Sequence, residues 1–437
     1  MLPEPTLSFT LQSLHDNTSL DCRIYHPVSL EPSSNVPAWC RHSAIFAHPY
    51  APLGGSYNDH IVQAATEVLL SQGYLVGTFN FRGASGSVGR TSWTAKPERS
   101  DYMSMVGFII YYIHYLDPYH NKEKLILGRH NSAFKGVHNN KPTLILGGYS
   151  YGSMITCQLP PLSEILSLFE SPPSGSPVAE IRTRAKHLAM NQNAILSSIL
   201  ESQSASRSPR HSLGMRVGGS ETAVDRKSHE SSRSLSINAE EIIRKGFNEV
   251  KTKLSPKRTS CGAFHKTIMT SEPPSPTSPV SPRTPKPLKS PKSPTLKIPK
   301  MIDAKLIDAV PDLIQPRVAY LLISPLQGLV TNLATMSLSP FSLSGRRSSN
   351  PPSPTDISEN AEAKLWRHPT LAVFGDNDMF VPIAKLRAWK TKLSSMPDSK
   401  FVGQEISGAS HFWVERGSMH IMKMLIREFS ASLIPGS

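Results

Sequence analysis

TLILGGYSYGSMI, residues 143–155, changes character at its centre. Leu144 to Leu146 is an apolar run of strand type, and from Ser153 onward the apolar spacing becomes helical. Between the two stands Gly148-Tyr149-Ser150-Tyr151-Gly152, the only G-x-S-x-G in the chain. A serine placed where a strand turns sharply into a helix sits on a strained turn, with its hydroxyl projecting beyond the sheet. Small residues on either side let strand and helix approach closely, and the N–H of the next residue, here Tyr151, faces a developing oxyanion. The same five residues also suit a tight strand–helix turn with no chemistry, so the surrounding chain has to decide.

On the N-terminal side, residues 6–26 read as two strands around a polar turn at Asp16-Asn17. Ser43 to His48 is a short apolar run ending in turn residues. A helical pattern from Asn58 to Gln72 stops at Gly73, Tyr74 to Phe79 reads as a buried strand, and a further helix covers Ser100 to Leu116. Beyond the motif come a helix over 153–169, then strands at Arg317 to Ile323, Thr370 to Phe374 and Lys400 to Ile406. A last helix runs from Val414 to Leu433. Strands alternating with helices at this spacing predict an α/β fold, a mostly parallel sheet with helices on both faces.

Composition interrupts the pattern. The 437 residues include 38 Pro, and only 38% are hydrophobic. Residues 171–303 are rich in Ser, Pro and Lys and cannot bury enough apolar surface to offset the entropy of ordering, so a long disordered insert is expected there. Within it, residues 193–200 and 239–254 have the makings of local helices. The chain then divides into the N-terminal part of one α/β domain (1–170), the basic insert (171–303), a core strand and the start of a cap region (304–337), a second disordered loop (338–363), and the C-terminal part of the domain (364–437). Over residues 171–300 there are 22 Lys and Arg against nine Asp and Glu, so the insert holds nearly all of the net charge of +14. That distribution describes a tail and not a nucleic-acid groove, and no base-reading module is visible. Ser or Thr precedes Pro at Ser255, Ser275, Ser278, Ser281, Thr284, Ser290 and Ser293, while Arg346-Arg347-Ser348-Ser349 fits a basophilic kinase. Kinases and phospho-dependent adaptors are the partners these sites imply.

The four Cys have neither CxxC spacing nor a dense framework and read as reduced thiols. The longest apolar run, about 106–116, is too short to span a bilayer, and the first residues lack the layout of a secretory signal. A soluble cytoplasmic protein with possible access to the nucleus is expected. No metal cluster is visible, and no cofactor is required.

Two later segments complete a constellation with Ser150. Gly375-Asp376-Asn377-Asp378 ends an apolar strand, where a carboxylate can orient an imidazole and stabilise its protonated form. Asp378 lies further into the loop and is the candidate; Asp376 competes with it but can simply cap the turn. Gly408-Ala409-Ser410-His411-Phe412-Trp413 follows the last strand, placing His411 as the candidate general base. Ser150, Asp378 and His411 occur in the order Ser…Asp…His, each just after a strand. Tyr149, Phe412 and Trp413 are candidates to line an apolar substrate pocket.

Five stretches, HPYAPLGG (48–55), FNFRGASGS (79–87), 148–152, 375–382 and 408–413, resemble the α/β-hydrolase superfamily. Within it the chain is similar to small serine hydrolases carrying HPxP…GG and NFRG-type loops. Ala51 stands where the second Pro of the first loop is expected, and Ser85 where the second loop has Gly. The resemblance implies an α/β-hydrolase fold and a second oxyanion N–H from the loop after His48, assigned to Tyr50 with Ala51 as the alternative. It also implies two-step acyl transfer, in which Ser150 attacks a carbonyl and water releases the acid. The substrate expected is a small-molecule acyl ester or thioester of small or medium size. A peptidase or amidase of the same fold, and a catalytically silent scaffold acting through its insert, are the competing classes.

Overall fold

The computed structural model describes residues 2–30, 39–92, 94–117, 141–206, 305–326 and 362–434. All of these belong to one compact unit made from 1–209 and 300–437; a second unit, 210–299, lies outside the described residues. In chain order the elements are β1 (Leu7–Gln12), β2 (Ser19–Tyr25), β3 (Ser43–Ala47), α1 (His60–Ser71), β4 (Leu75–Phe79) and α2 (Lys96–Tyr115). Then come β5 (Thr143–Tyr149), α3 (Tyr151–Gln158), α4 (Leu162–Ser167), α5 (Pro177–Ser206), β6 (Arg317–Ile323) and β7 (Thr370–Asn377). The chain ends with α6 (Ile383–Ser394), β8 (Phe401–Ser410) and α7 (Ser418–Ser432). A short helical stretch over 362–367 leads into β7.

Eight strands form one sheet in the order β1-β2-β4-β3-β5-β6-β7-β8. β1 and β2 pair antiparallel with each other, β2 pairs antiparallel with β4, and every pairing from β4 to β8 is parallel. β3, β4 and β5 are buried along their whole length, the mark of parallel strands covered on both faces. One face carries α1 and α7 over Ile61, Val62, Ile145, Met422 and Ile426. The opposite face carries α2, α3, α5 and α6 over Ile45, Leu146, Val106, Ile155 and Leu386. The doubly covered parallel sheet, with its antiparallel second strand and a serine turn after the central β5, is the α/β-hydrolase topology expected from the sequence.

Three boundaries differ from the sequence reading, each for a local reason. The helix expected over 153–169 is two helices, because Pro160-Pro161 lacks the N–H groups a continuous helix needs. Helix α6 was not anticipated at all; it buries Leu386, Trp389 and Leu393 with polar residues between them. The insert expected to begin at 171 begins later. Ser176 caps α5 by accepting the N–H of Ala179, Pro177 occupies its first position, and Ile181, Ala185, Ala189 and Leu196 are buried in the core shared with α2. Arg182 ties that helix to the chain on both sides, donating to the carbonyls of Phe169, Glu170 and Asp308. The expected helix over 239–254 and the phosphorylation sites between 255 and 293 lie outside the described residues, as does Arg346 to Ser349. No helix among the described residues is long and apolar enough to cross a membrane.

Candidate active site

Strand β5 delivers Ser150 at its C-terminal end, with φ 55° and ψ −112°. A left-handed φ on a side-chain-bearing residue is strained, and it persists because the packing on either side allows no other path. A Cβ on Gly148 would fall 2.4 Å from the Gly152 carbonyl carbon, and one on Gly152 would fall 2.5 Å from the Ala47 oxygen. The two glycines therefore let α3 pass directly over β3 and β5. The Ser150 N–H donates to the Ile323 carbonyl of β6 at 2.9 Å, pinning the turn from below.

His411 follows β8, and its Nε2 lies 2.8 Å from Ser150 Oγ. Its Nδ1 lies 2.7 Å from Asp378 Oδ2. The other Asp378 oxygen accepts the N–H groups of Phe380 and Val381 at 2.8 and 3.1 Å, which fixes the carboxylate plane. Asp376, its competitor in the sequence, is turned away: it accepts from Gly408 N and Ser407 Oγ and staples β7 to β8. Phe380 sets its ring edge-on to the imidazole at 4.6 Å. The loop carrying His411 is anchored at three further points. Tyr149 Oη donates to the His411 carbonyl at 2.9 Å, Glu415 accepts the Ser410 N–H at 3.0 Å, and His60 Nε2 lies 3.1 Å from the Phe412 carbonyl.

These groups open onto a cavity of about 350 Å³ bordered by Tyr50, Tyr149, Tyr151, Leu326, Phe380 and Phe412. Of the three residues predicted for the pocket, Tyr149 and Phe412 line it. Trp413 does not: it is 2% exposed in the core beneath, with its indole N–H donating to Ser324 Oγ at 3.0 Å. A tryptophan next to the histidine in sequence looks like pocket wall, but the turn points it inward.

Tyr151 opens α3, so its N–H belongs to the first helical turn, whose donors have no intrahelical acceptor. Tyr50 borders the same cavity, whereas Ala51 does not. Behind Tyr50 sits His48, fully buried. Its Nε2 accepts the Phe81 N–H at 2.8 Å, so the ring proton is on Nδ1 and donates to the Pro49 carbonyl at 2.5 Å. Burial pushes this imidazole down to about 4, in keeping with that neutral tautomer. The Pro49 carbonyl and the Tyr50 N–H belong to one peptide plane and point in opposite directions. Holding the first toward His48 turns the second away from it.

The NFRG segment is structural. Arg82 donates to both oxygens of buried Asp101, to Asp16 and to Ser13, and the guanidinium holds the Asp16 carboxyl well below the ordinary range. Asp59 was not foreseen at the site. It caps α1 through Ile61 and Val62 N–H and borders the cavity, where burial raises its carboxyl above the ordinary value. Its capping role is readable from an Asp before a helical run, but its facing the cavity is not. Among the described residues, no group of three or more His, Cys, Asp and Glu is arranged to hold a metal ion.

No family model matches the chain, and no curated protein matches it. Similar solved structures include an alpha-beta serine hydrolase homologue from Coxiella burnetii, with 13% identity, a TM-score of 0.38, and 98% of this chain and 99% of that one covered. A serine hydrolase without a lid from Xanthomonas campestris has 13% identity and a TM-score of 0.40, covering 100% and 99%. An esterase from Pyrococcus furiosus has 11% identity and a TM-score of 0.38, covering 97% and 88%.

Proposed function

We propose that this chain is a serine hydrolase that cleaves a small or medium carboxylic ester or thioester through an acyl-enzyme intermediate. One observation carries the reading: Ser150, His411 and Asp378 form a continuous hydrogen-bonded relay at 2.8 and 2.7 Å on the wall of an apolar cavity. His411 takes the Ser150 proton as Oγ attacks the substrate carbonyl, and Asp378 holds the imidazole in the tautomer that can accept it. The tetrahedral oxyanion is received by the N–H groups of Tyr50 and Tyr151, each contributing about 3 kcal/mol to the transition state. His411 then gives its proton to the leaving oxygen or sulfur, and the C–O or C–S bond breaks. Water attacks the acyl-enzyme with His411 again as base, releasing the acid and restoring Ser150.

The aromatic walls and the size of the cavity favour a short acyl chain over an extended peptide. An assembled relay is also what a silent scaffold has no need to keep. Cys22 and Cys157 form no disulfide, which supports a reducing compartment, the cytoplasm, as the place of action. The Ser-Pro sites of the insert are proposed as kinase targets.

The test is labelling of wild type and Ser150→Ala with a fluorophosphonate probe. Labelling of wild type alone is expected. Equal labelling of both, or unchanged ester turnover by Ser150→Ala, overturns the assignment.

A further inference from the structure

A second cavity, of about 620 Å³, lies at the far end of α3 from Ser150. It is bordered by Lys96 and Arg99 of α2, Glu164 of α4, and Lys364, Arg367 and His368 beside the 362–367 helix. Three exposed or half-buried cations, Lys96, Arg99 and Arg367, thus share one concave space with Lys364, and Glu164, exposed on its rim, is the one carboxylate among the lining residues. Among the described residues no ion pair involves Lys96, Arg99, Lys364 or Arg367. Cations normally separate or find carboxylates, so their convergence here is an unbalanced charge.

Two buried atoms sharpen the point. Arg99 Nε is enclosed and has no hydrogen-bond partner, and an orphaned charged donor of this kind is costly. Lys364 is 4% exposed, and its ammonium rests on the carbonyl oxygens of Thr156, at 3.0 Å, and Leu159, and over the Tyr320 ring, 5.4 Å from its centroid. Burial pushes Lys364 down to about 7, and no carboxylate counters that cost. Arg99 and Lys364 both belong to the cavity wall.

We propose that this cavity binds a phosphate monoester, with Arg99 as its principal ligand, Lys96 and Arg367 at its mouth, and Lys364 in the wall behind. A phosphate monoester near pH 7 carries about −1.5 to −2 charges and three acceptor oxygens, enough to serve the Arg99 guanidinium and offset the surrounding cations. A carboxylate supplies half that charge, leaving most of the excess uncompensated. The guanidinium fork matches phosphate oxygens in geometry as well as sign. The monoester has two possible sources: a free phosphorylated small molecule, or a phosphoserine of this chain. Ser348 and Ser349, in the basic Arg346-Arg347-Ser348-Ser349 tract, precede Lys364 in the same connection. At about 3.3 Å per extended residue that tether reaches on the order of 50 Å. The site does not rest on the hydrolase reading.

The experiment is a titration of the full-length, unphosphorylated protein with inorganic phosphate, followed by calorimetry and thermal melting against potassium chloride at equal ionic strength. Wild type is expected to bind saturably, with a rise in Tm that chloride does not reproduce. Lys96→Gln/Arg99→Gln, which leaves buried Lys364 in place, should melt no lower than wild type without phosphate and bind at least tenfold more weakly. Glu164→Gln should bind more tightly than wild type. Fluorophosphonate labelling of Ser150 should be equal in all of these proteins, which separates this site from the catalytic one. No saturable binding, or equal binding by wild type and the double variant, overturns the proposal. A chain carrying phosphoserine at position 348 distinguishes the sources. Loss of binding of added phosphate assigns the site to the chain's own phosphoserine, and retained binding assigns it to a free phosphorylated molecule.

Discussion

Replacing His48 tests whether the loop after β3 is held for catalysis or only for stability. His48→Leu keeps approximate volume but removes two hydrogen bonds, the one accepted from Phe81 N and the one donated to the Pro49 carbonyl. The Phe81 N–H is then buried without an acceptor, at about 1–3 kcal/mol. The edge-on contact of the imidazole with the Phe81 ring, centroids 4.9 Å apart, is lost as well. At roughly 2–4 °C per kcal/mol for a domain of this size, Tm should fall by about 3–10 °C. The catalytic effect is separate. With the Pro49 carbonyl released, the Pro49–Tyr50 peptide is free to rotate and its N–H leaves the oxyanion position, so kcat should drop by about 10²–10³-fold with KM little changed. His48→Asn separates the two effects, because its amide places a donor near the Nδ1 position while leaving Phe81 N–H unserved. It should recover much of kcat and little of Tm. The assay is steady-state hydrolysis of p-nitrophenyl butyrate beside a thermal melt. If His48→Leu lowers Tm while kcat stays within about threefold of wild type, the positioning argument is wrong.

Asp378→Asn should leave the fold intact and lower kcat by about 10⁴-fold through the wrong imidazole tautomer, read in the same ester assay. Gly152→Val should fail to fold or lose Ser150 labelling, since even a Cβ there meets the Ala47 backbone oxygen at 2.5 Å; soluble, fully labelled variant protein would contradict the packing described. His42 and His48 are buried, and burial is the first cause pushing both down to about 4. Their folded pKa values lie below the unfolded value near 6.5, so the stability they hold is complete above that pH and is lost on acidification toward 4. These two contribute a slope of about 3 kcal/mol per pH unit, measurable by urea unfolding between pH 7 and 4.5; His26, which burial also pushes down to about 4, adds to it, and the raised carboxyl of Asp59 opposes it. Deleting 210–299 should leave Tm and Ser150 labelling within error of wild type, whereas a deletion beginning at Pro177 removes Ile181, Ala185, Ala189 and Leu196 from the core and should give insoluble protein.

What could be read from the sequence was what local pattern controls. The strand-to-helix change at 143–155 located Ser150, and strand ends located His411 and the Asp376/Asp378 pair, because each sits where a period breaks. Choosing between the two Asp residues by depth in the loop agrees with the geometry, in which Asp376 is occupied with Gly408. Trp413 went astray because side-chain direction in an irregular turn has no period to betray it; its φ of 57° swings it into the core. Helix α5 was absorbed into a Ser- and Pro-rich stretch, although Ser176-Pro177 is a helix start and Ile181, Ala185 and Ala189 share one face. Composition averaged over a long window hid a local signal. That Asp59 and Phe380 face the first cavity, and that the second cavity exists, were beyond sequence reading, since each arises where elements far apart in the chain meet.

The order of elements has a consequence for the integrity of the polypeptide. Everything the relay needs from the first half, Ser150 and its turn, is complete before residue 210, and everything from the second half, Asp378 and His411, comes after residue 300. The two halves are joined through the interior of the sheet by the parallel seam of β5 and β6, which runs from Thr143 opposite Arg317 to Tyr149 opposite Ile323. A nicked chain, or two separately translated polypeptides ending and beginning within 210–299, would retain that seam. Ser150 and His411 would then reside on different molecules, and under the proposed function activity would depend on their reassembly.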